Sequence, residues 1–451
     1  MLENRNTILA VILSGLVLLA WQYFYNIPTM EKQRAAQQAE LAQKQAASPA
    51  PTPSATPSTT PSASGAPSQA PIPGAPTTNV PVQNRATVIA AGPRVKIDTP
   101  SISGSIALTG ARIDDVALVK YRETVDPKSP AIELFSPSGT KEPFYAEFGF
   151  VPAAGATTKM PDKDTVWKQE GANTLTATTP VVLTWNNGQG LTFKRTISID
   201  DKYLFTIKDD VSNVGDAPVT LYPFGLISRH GTPQVSGYYI LHEGLIGVLG
   251  DHGLQEYGYK KIDEAKAVEF KATNAWLGIT DKYWAATLLP DPKASLQARY
   301  SSNLVGTLRT YQTDYLLDPI TVAIGGTSST TTSLFAGAKE SKTVDAYDKQ
   351  LGLNKFDRLI DWGWFYFITR PMFWMIDWFF HIVGNFGIAI LAVTVLVKLI
   401  FFPLANKSYA SMAKMKAVQP QLAALKDKYP DDKMKQQQEM MEIYKKEKIN
   451  P

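Results

Sequence analysis

The sequence contains no cysteine and only four histidines among its 451 residues. Without cysteine the chain can form no disulfide scaffold, thiolate metal site or cysteine nucleophile, and its composition suits any redox compartment. His230, His242 and His252 are spaced by 12 and 10 residues, which matches no HExxH or similar ligand pattern. We therefore predict no metal site and no cofactor.

A strong charge of one sign is also absent. The net charge is +4 and the isoelectric point is about 8.8, with many lysines concentrated beside one apolar segment, so we predict no direct contact with nucleic acid. Asp114-Asp115 and Asp209-Asp210 are adjacent acids, and neighbours on a strand point to opposite faces, so neither pair is predicted to form an acid–base dyad. The glycine-rich stretch 244–258 lacks a nucleotide-binding pattern. These absences favour a protein that is not an enzyme.

What the sequence does contain is a long apolar run near its end. Gly387 to Leu404 comprises eighteen residues with one ionisable side chain, Lys398, and is long enough to span most of a bilayer. A lysine at the centre of such a helix costs roughly 2.5–3.5 kcal/mol, so it usually faces water or a partner. Two interpretations stay open: the Lys398 side chain extends toward the headgroups, or it forms an inward-facing polar site.

A second apolar run, Ile8 to Tyr25, follows Arg5 and ends in aromatic residues. It lacks a small-x-small cleavage site, which favours an uncleaved anchor over a signal peptide. Lysines follow the later run from Lys407 onward, so the positive-inside rule places the C-terminal arm in the cytoplasm. Parity places the N-terminus there too, with the intervening residues outside the inner membrane.

The residues between the two apolar runs predict a tether followed by a β domain. Ala46 to Pro81 is almost wholly Pro, Ala, Ser and Thr, which cannot form a core. From Thr87 to Lys339 short alternating segments predict a large antiparallel sandwich. In that domain Val181 to Trp185 and Leu191 to Ile199 flank a glycine-containing turn and predict a hairpin.

The segment between the sandwich and the later apolar run is aromatic and amphipathic. A short helix is predicted over Ser341 to Leu353, and Pro371 is predicted to break the segment that follows. We interpret that segment as helices lying in the membrane interface, with a core helix of the sandwich as the alternative. The predicted interfacial anchors are Trp362, Trp364, Trp374 and Trp378.

Beyond Pro403, apolar residues recur at helical spacing, and Tyr429 to Asp432 interrupts the pattern. This predicts an antiparallel helical hairpin in the cytoplasm. Methionine-lined faces suit variable apolar partners, although each methionine is equally consistent with hairpin core. The predicted contact residues of the hairpin are Met412, Lys414, Met415, Lys416, Met434, Met441 and Tyr444.

The block VTVLVKLIFFPLANKSYASMAKMKAVQPQLAALKDKY, the ending KINP and the N-terminal MLENRNTILAVILSGLVLLAWQYFY together resemble the YidC/Oxa/Alb insertase family of the Gram-negative type. The resemblance implies a periplasmic β-supersandwich similar in fold to sugar mutarotases but without their activity. It also implies a membrane groove carrying one positive charge, and Lys398 stands where the family usually has arginine. Lysine keeps the charge but lacks the planar fork for two-pronged pairing.

The resemblance further implies a membrane-protein insertase and chaperone of the inner membrane. Its implied partners are nascent membrane-protein clients, Sec translocon subunits, ribosome or signal-recognition components and membrane lipids. The family continues past Asn450-Pro451 into three more spanning helices, so we expect a fragment or a truncated product, with the insertase function belonging to the complete protein. The alternative function is a membrane-tethered periplasmic protein with a carbohydrate-binding or mutarotase-like sandwich, and a third is a structural scaffold for translocon subunits.

The predicted fold class is thus an α+β membrane protein with two transmembrane helices. Its predicted segments are an anchor at 1–29, a polar and Pro/Ala/Ser/Thr-rich linker at 30–86, a periplasmic β-sandwich at 87–350, interfacial helices at 351–383, a second transmembrane helix at 384–404 and a cytoplasmic helical hairpin at 405–451.

Overall fold

The computed structural model describes residues 82–233, 241–430 and 432–446. The predicted anchor, residues 30–81 of the predicted linker and the KINP ending lie outside the described residues.

Twenty strands form the body of the described chain. They are β1 Arg94–Asp98, β2 Ile102–Ala107, β3 Ile113–Arg122, β4 Ala131–Phe135, β5 Phe144–Pro152, β6 Lys168–Glu170, β7 Thr174–Leu175, β8 Val181–Asn186, β9 Leu191–Ile199, β10 Leu204–Asn213, β11 Val219–His230, β12 Gly244–Leu249, β13 Leu254–Gly258, β14 Ala267–Thr273, β15 Ala275–Thr280, β16 Trp284–Pro290, β17 Ser295–Val305, β18 Leu308–Leu317, β19 Ile320–Val322 and β20 Thr327–Ala338.

Six α-helices and two 3₁₀ turns accompany the strands in the described ranges. The helices are α1 Arg85–Ala90, α2 Tyr259–Ala265, α3 Ser341–Leu351, α4 Tyr366–Val383, α5 Phe386–Lys428 and α6 Lys433–Lys446, and the 3₁₀ turns are Gly250–His252 and Phe356–Leu359.

The strands make two large sheets. The order in the first, 11-stranded sheet is β14-β17-β18-β11-β5-β3-β2-β1-β7, with β4 paired to β3 and β19 to β11, and the order in the 9-stranded sheet is β13-β12-β15-β16-β20-β10-β9-β8-β6. Neighbouring strands are antiparallel except for β1 and β7, which pair in parallel. The prediction of a large, mainly antiparallel sandwich is confirmed.

Alternating burial places one continuous apolar core between the sheets. Along β9, Leu191, Phe193, Arg195, Ile197 and Ile199 are buried while the residues that alternate with them are more exposed. This period of two is the pattern that a half-buried strand requires. The predicted hairpin is also present, since β8 and β9 pair from Val181↔Ile197 to Asn186↔Thr192. Gly188 and Gly190 have positive φ angles of 71° and 91° in its turn, a conformation that glycine adopts without a Cβ clash.

Asp114 and Asp115 do not follow the rule that neighbouring side chains of a strand point to opposite faces of the sheet. The pairing of β2 with β3 shifts at Ser105/Ile106, so that Ser105 lies opposite Asp115 and Ile106 lies opposite Ile113. Both carboxyl groups are buried as a result, with Asp114 paired to Arg94 and Asp115 to Arg85 and Ser105. A β-bulge gives two residues on one strand to a single partner residue, which explains why the prediction of opposite faces is wrong here.

The helices after the sandwich continue through three prolines, and at one of them the structure differs from expectation. Pro371 lies inside α4, so the prediction that it breaks this segment is wrong. It is the sixth residue of α4, so the helix continues through it with the loss of one backbone hydrogen bond, the one that a residue with an N–H would donate to the Phe367 carbonyl. Helix α5 likewise continues through Pro403 and Pro420 for 43 residues.

Candidate functional site

Among the described residues, α5 is the one helix long and apolar enough to cross a membrane. Only 11 % of its most apolar 18-residue window is buried. A helix of 43 residues measures about 64 Å at 1.5 Å per residue, whereas a bilayer core needs about 30 Å. About half of α5 is therefore available to extend beyond a membrane.

Helix α5 begins immediately after α4. Gly384 ends α4 in the left-handed conformation with a φ of 71°, and the Asn385 side chain caps α5 by accepting a hydrogen bond of 3.2 Å from the Ile388 backbone N–H. The Phe380 and Phe386 rings meet across this turn with centroids 5.8 Å apart. The capped turn fixes where the apolar helix starts.

Lys398 lies exposed on the apolar half of α5. Within the described ranges its ammonium group has no carboxylate within 4.0 Å and no side-chain hydrogen bond. Thr394, one turn earlier on the same face, is also exposed, and its hydroxyl donates to the Ile390 carbonyl at 2.8 Å. The two residues form a short polar strip on a half-helix whose other exposed residues are apolar, including Leu399 and Ile400, each 64 % exposed.

The four predicted interfacial tryptophans fall into two groups. Trp362 is half-buried, since its indole N–H donates to the Asp357 carbonyl at 3.2 Å and its ring packs against Phe373. Trp364, Trp374 and Trp378 have exposed fractions of 89 %, 50 % and 60 %. No residue of α4 is buried, although the helix is largely apolar. This argues against a core helix, since α4 presents an aromatic surface outward.

The predicted hairpin residues lie on the second half of α5 and on α6. These helices are separated by residues 429–432, and the Tyr429 hydroxyl donates to Glu439 Oε1 at 2.8 Å. Val418 and Leu425 are buried, and Met415 and Tyr444 are half-buried. Met412, Met434 and Met441 are exposed, as are Lys414 and Lys416. The structure therefore brings Met415 and Tyr444 toward the packed side and leaves the other five on the surface.

The sandwich carries a polar cavity of about 470 Å³ that sequence reasoning missed. His230, Glu133, Glu142, Arg85 and Arg229 are among its lining residues. Burial, assisted by the positive charge of Arg112, lowers the pKa of His230 to about 4 and keeps it neutral near pH 7. Glu133 is paired with Arg85 at 3.0 Å. Arg229 is paired with Asp281 at 2.6 Å. These residues come from a helix, a loop and two strands that are distant in sequence, so no local motif indicates them.

The described residues contain no group of three or more His, Asp or Glu side chains placed to hold a metal ion. The cavity thus offers charged groups that already have partners within the protein, and it supplies no evident reactive pair.

Comparison with known proteins identifies the chain. Residues 94–375 match the YidC periplasmic domain and residues 378–451 match the 60Kd inner membrane protein family. The membrane protein insertase YidC of Bradyrhizobium diazoefficiens is 70 % identical over 100 % of this chain and 74 % of its own length. That of Nitrobacter hamburgensis is 68 % identical over 100 % of this chain and 73 % of its own length. The chain belongs to the YidC membrane protein insertase family.

Membership of the YidC family confirms the resemblance drawn from the apolar and methionine-rich blocks. It makes the β sandwich a YidC periplasmic domain and the whole chain an inner-membrane protein.

Solved structures also align with about half of the chain. A galactose mutarotase-like protein from Lactobacillus casei is 11 % identical over 54 % of this chain and 100 % of its own, with a TM-score of 0.37. A putative aldose 1-epimerase from Escherichia coli is 10 % identical over 55 % of this chain and 99 % of its own, with a TM-score of 0.34. At TM-scores this low we draw no functional conclusion from them.

Proposed function

We propose that this protein inserts nascent membrane proteins into the inner membrane and assists their folding and assembly, with Lys398 as the charge that attracts the translocating segment. Support for the activity comes from the relatives named membrane protein insertase YidC. The proposed role of Lys398 rests on one observation. Its side chain is exposed on a helix long enough to cross a membrane, and among the described residues it has no ion-pair partner.

The depth of Lys398 supports this role. It follows Phe386 by twelve residues, about 18 Å along the helix, and precedes Lys407 by nine residues, about 13.5 Å. Both distances are within about 3 Å of half of a 30 Å bilayer core, so Lys398 belongs near the middle of the span. The apolar stem of Lys398 reaches only part of the way from this depth to the headgroups. This favours an inward-facing charge over a side chain that simply extends to the interface.

The proposed mechanism is electrostatic and needs no nucleotide or metal. Moving a polar tail across a bilayer is costly because its backbone and charges lose water. A wet, positively charged recess part-way through the membrane shortens the apolar path and attracts acidic residues of the tail. The apolar helix of the client then partitions into lipid. The Thr394–Lys398 strip would form one wall of this recess.

The proposed topology follows from charge and aromatic residues. We place the sandwich on the periplasmic side and both ends of the chain in the cytoplasm, with two spanning helices between them. Lys407, Lys414 and Lys416 begin the basic half of α5 and support a cytoplasmic arm. The exposed Trp364, Trp374 and Trp378 support a position of α4 among lipid headgroups.

We assign the basic half of α5 and α6 to contacts with partners. Met412, Met434 and Met441 are exposed, and unbranched, polarizable side chains adapt to varied apolar surfaces. Lys414 and Lys416 add positive charge beside Met412 and Met415 on α5. This surface suits ribosome or signal-recognition components, and Sec translocon subunits are further proposed partners of the whole protein.

Crosslinking of a stalled nascent membrane protein tests the proposal. Because the chain has no cysteine, single cysteines can be introduced at Thr394, on the face of Lys398, and at Ile400, which is also exposed but lies on the opposite face from Lys398. We expect the nascent segment to crosslink strongly to Thr394→Cys and weakly to Ile400→Cys. Equal crosslinking to both positions, or to neither, would contradict the proposal.

A further inference from the structure

Helix α3 is firmly attached to the sandwich. Val344 and Tyr347 are 0 % and 3 % exposed and belong to the main apolar core. The Tyr347 hydroxyl donates to Asp200 Oδ2 at 2.5 Å and accepts from the Tyr203 backbone N–H at 3.2 Å. The other side of α3 carries Lys342 and Asp345, which reach toward α4.

Helix α4 meets these two residues through opposite charges. Arg370 Nη2 lies 2.9 Å from Asp345 Oδ1, and Lys342 Nζ lies 3.1 Å from Asp377 Oδ2. Arg370 and Asp377 are seven residues apart and therefore lie on one face of α4, two turns from each other. Lys342, Asp345, Arg370 and Asp377 together form what we call the α3–α4 ion-pair cluster.

The order of the charges permits one direction of packing. The earlier residue of α4 pairs with the later residue of α3, so the two helices run antiparallel at this contact. Parallel packing would place Lys342 beside Arg370 and Asp345 beside Asp377, and like charges in contact are unfavourable. The cluster therefore joins α3 to α4 and also determines which residues of the two helices lie opposite each other.

Arg370 is the central member of the cluster. Its Nη1 also donates to Asp357 Oδ2 at 2.5 Å, and its guanidinium group lies 5.1 Å from the Trp374 ring centroid. The side chains of Arg370 and Asp357 are 24 % and 11 % exposed, so water screens this pair less than an open surface pair. Two carboxylates and one aromatic ring thus hold a planar guanidinium group, which lysine cannot reproduce.

Two aromatic contacts also join α4 to the residues just before it: the Phe373 ring packs against Trp362, and the Tyr366 ring lies 3.7 Å from the Arg358 guanidinium group. None of its residues, all of which are described, is buried, and Gly363 just before it has a positive φ of 71°. Half-buried apolar contacts therefore set the orientation of α4 only in part. Long charged side chains complete the connection.

We propose that the α3–α4 ion-pair cluster is a positioning device that holds the periplasmic sandwich in one orientation over the membrane surface in which α4 lies. The inference rests on the proposed interfacial position of α4. Lys342, Asp345, Arg370 and Asp377 act through the orientation of α4, and hence of α5 and Lys398, and they do not contact the client.

Distance measurements between spin labels test the device. In the full chain in lipid vesicles, cysteines replacing Ala346 on α3 and Ile382 on α4 carry the labels, and both positions are exposed and outside the cluster. We expect one narrow distance distribution in the parent protein and loss of that narrow distribution in Lys342→Asp. The matched control is Lys349→Asp, on the same helix, where the lysine has no ion pair within the described residues, and this variant should keep the narrow distribution.

Charge exchange separates positioning from a general structural effect. The double variant Lys342→Asp/Asp377→Lys restores opposite charges and should restore the narrow distribution and the insertion of a client that Lys342→Asp loses. Arg370→Lys, which keeps the charge without the fork, should broaden the distribution less than Arg370→Glu. Tryptophan fluorescence of the sandwich, measured on heating, should be the same in all variants.

Three results would overturn the inference. They are an unchanged distribution in Lys342→Asp, a double variant that stays broad, and a broadened distribution that leaves insertion intact. If the parent protein shows a narrow distribution but no client crosslinks at Thr394→Cys, the proposed function fails while the device itself stands. The two failures are therefore distinguishable.

Discussion

The buried ion pair between Arg195 and Asp209 offers a sharp test of how the sandwich is held together. The two residues lie directly opposite each other on β9 and β10. Arg195 Nε donates to Asp209 Oδ1 at 2.7 Å and Nη2 donates to Oδ2 at 2.9 Å. Nη2 also donates to the Phe148 carbonyl of the other sheet at 2.9 Å, so this arginine connects the two layers.

We predict that Asp209→Ala lowers the free energy of unfolding by about 3–5 kcal/mol, because it leaves a buried guanidinium group without its counter-ion. Arg195 is only 1 % exposed, so water cannot replace the lost carboxylate. A loss of this size is a large part of the 5–15 kcal/mol typical of a domain. Urea unfolding of the full chain in detergent, followed by tryptophan fluorescence, measures it.

The matched control is Asp210→Ala on the next residue. The Asp210 carboxylate pairs at 3.1 Å with Lys208, which is 51 % exposed, and accepts a hydrogen bond from Ser329, so its loss should cost about 1–2 kcal/mol, less than the loss of Asp209. The double variant Arg195→Met/Asp209→Leu removes both charges and should regain most of the stability that Asp209→Ala loses. If Asp209→Ala cost no more than Asp210→Ala, this account of the pair would be refuted.

Three further predictions concern the sandwich core, pH and the membrane interface. Gly278→Ala should destabilise the sandwich by about 3 kcal/mol in the same urea assay, because its Cβ would lie 2.1 Å from the Ala286 carbonyl oxygen. Gly92→Ala, with open space around the new Cβ, should have little effect on the free energy of unfolding. If the two variants lost the same stability, the close contact at Gly278 would not be the cause. Burial and Arg112 lower the folded-state pKa of His230 from 6.5 to about 4, so between these pH values the unfolded chain binds the additional proton. Stability should therefore fall by roughly 3 kcal/mol from pH 6.5 to pH 4 on account of this residue, at 1.36 kcal/mol per pKa unit. His230→Gln should remove that part of the pH dependence and His252→Gln should not, and an unchanged slope in His230→Gln would exclude the effect. An environment-sensitive dye on a cysteine replacing Trp364 should shift to shorter wavelength in lipid vesicles, whereas one replacing the fully exposed Val125 should not, and matching spectra would argue against an interfacial α4.

Local patterns were sufficient to predict much of the fold. The hairpin of β8 and β9 follows from alternating residues around a glycine-containing turn, and these are short-range signals. The membrane-length helix α5 follows from composition alone. Both features depend on residues close together in sequence, which is why sequence analysis found them.

Features that depend on distant residues were not accessible in this way. The bulge that buries Asp114 beside Asp115 arises from the pairing of β2 with β3, and alternation alone predicts the opposite. The parallel pairing of β1 and β7 joins strands that are far apart in the chain. Pro371 was predicted to break a helix because proline is unfavourable in a helix interior, and α4 nevertheless continues through it.

The candidate site was predicted in part. Lys398 was singled out because a lysine in an apolar run is costly, and the structure places it exposed on α5. The α3–α4 ion-pair cluster was missed, although spacings of three and seven residues between opposite charges on successive helices were a usable signal. Which residues pair across two helices becomes evident only from their packing.

The most direct test of the central claim compares two clients that differ only in whether the translocated tail is acidic or neutral. In the complete membrane-embedded protein, Lys398→Glu should reduce insertion of the acidic-tailed client by about tenfold or more, since reversing a charge in a poorly screened recess easily exceeds the 1.4 kcal/mol that tenfold requires. Lys398→Arg should retain insertion, and the neutral-tailed client should be nearly unaffected by either change. If Lys398→Glu inserts the acidic-tailed client as well as the parent protein does, Lys398 is not the charge that attracts the client.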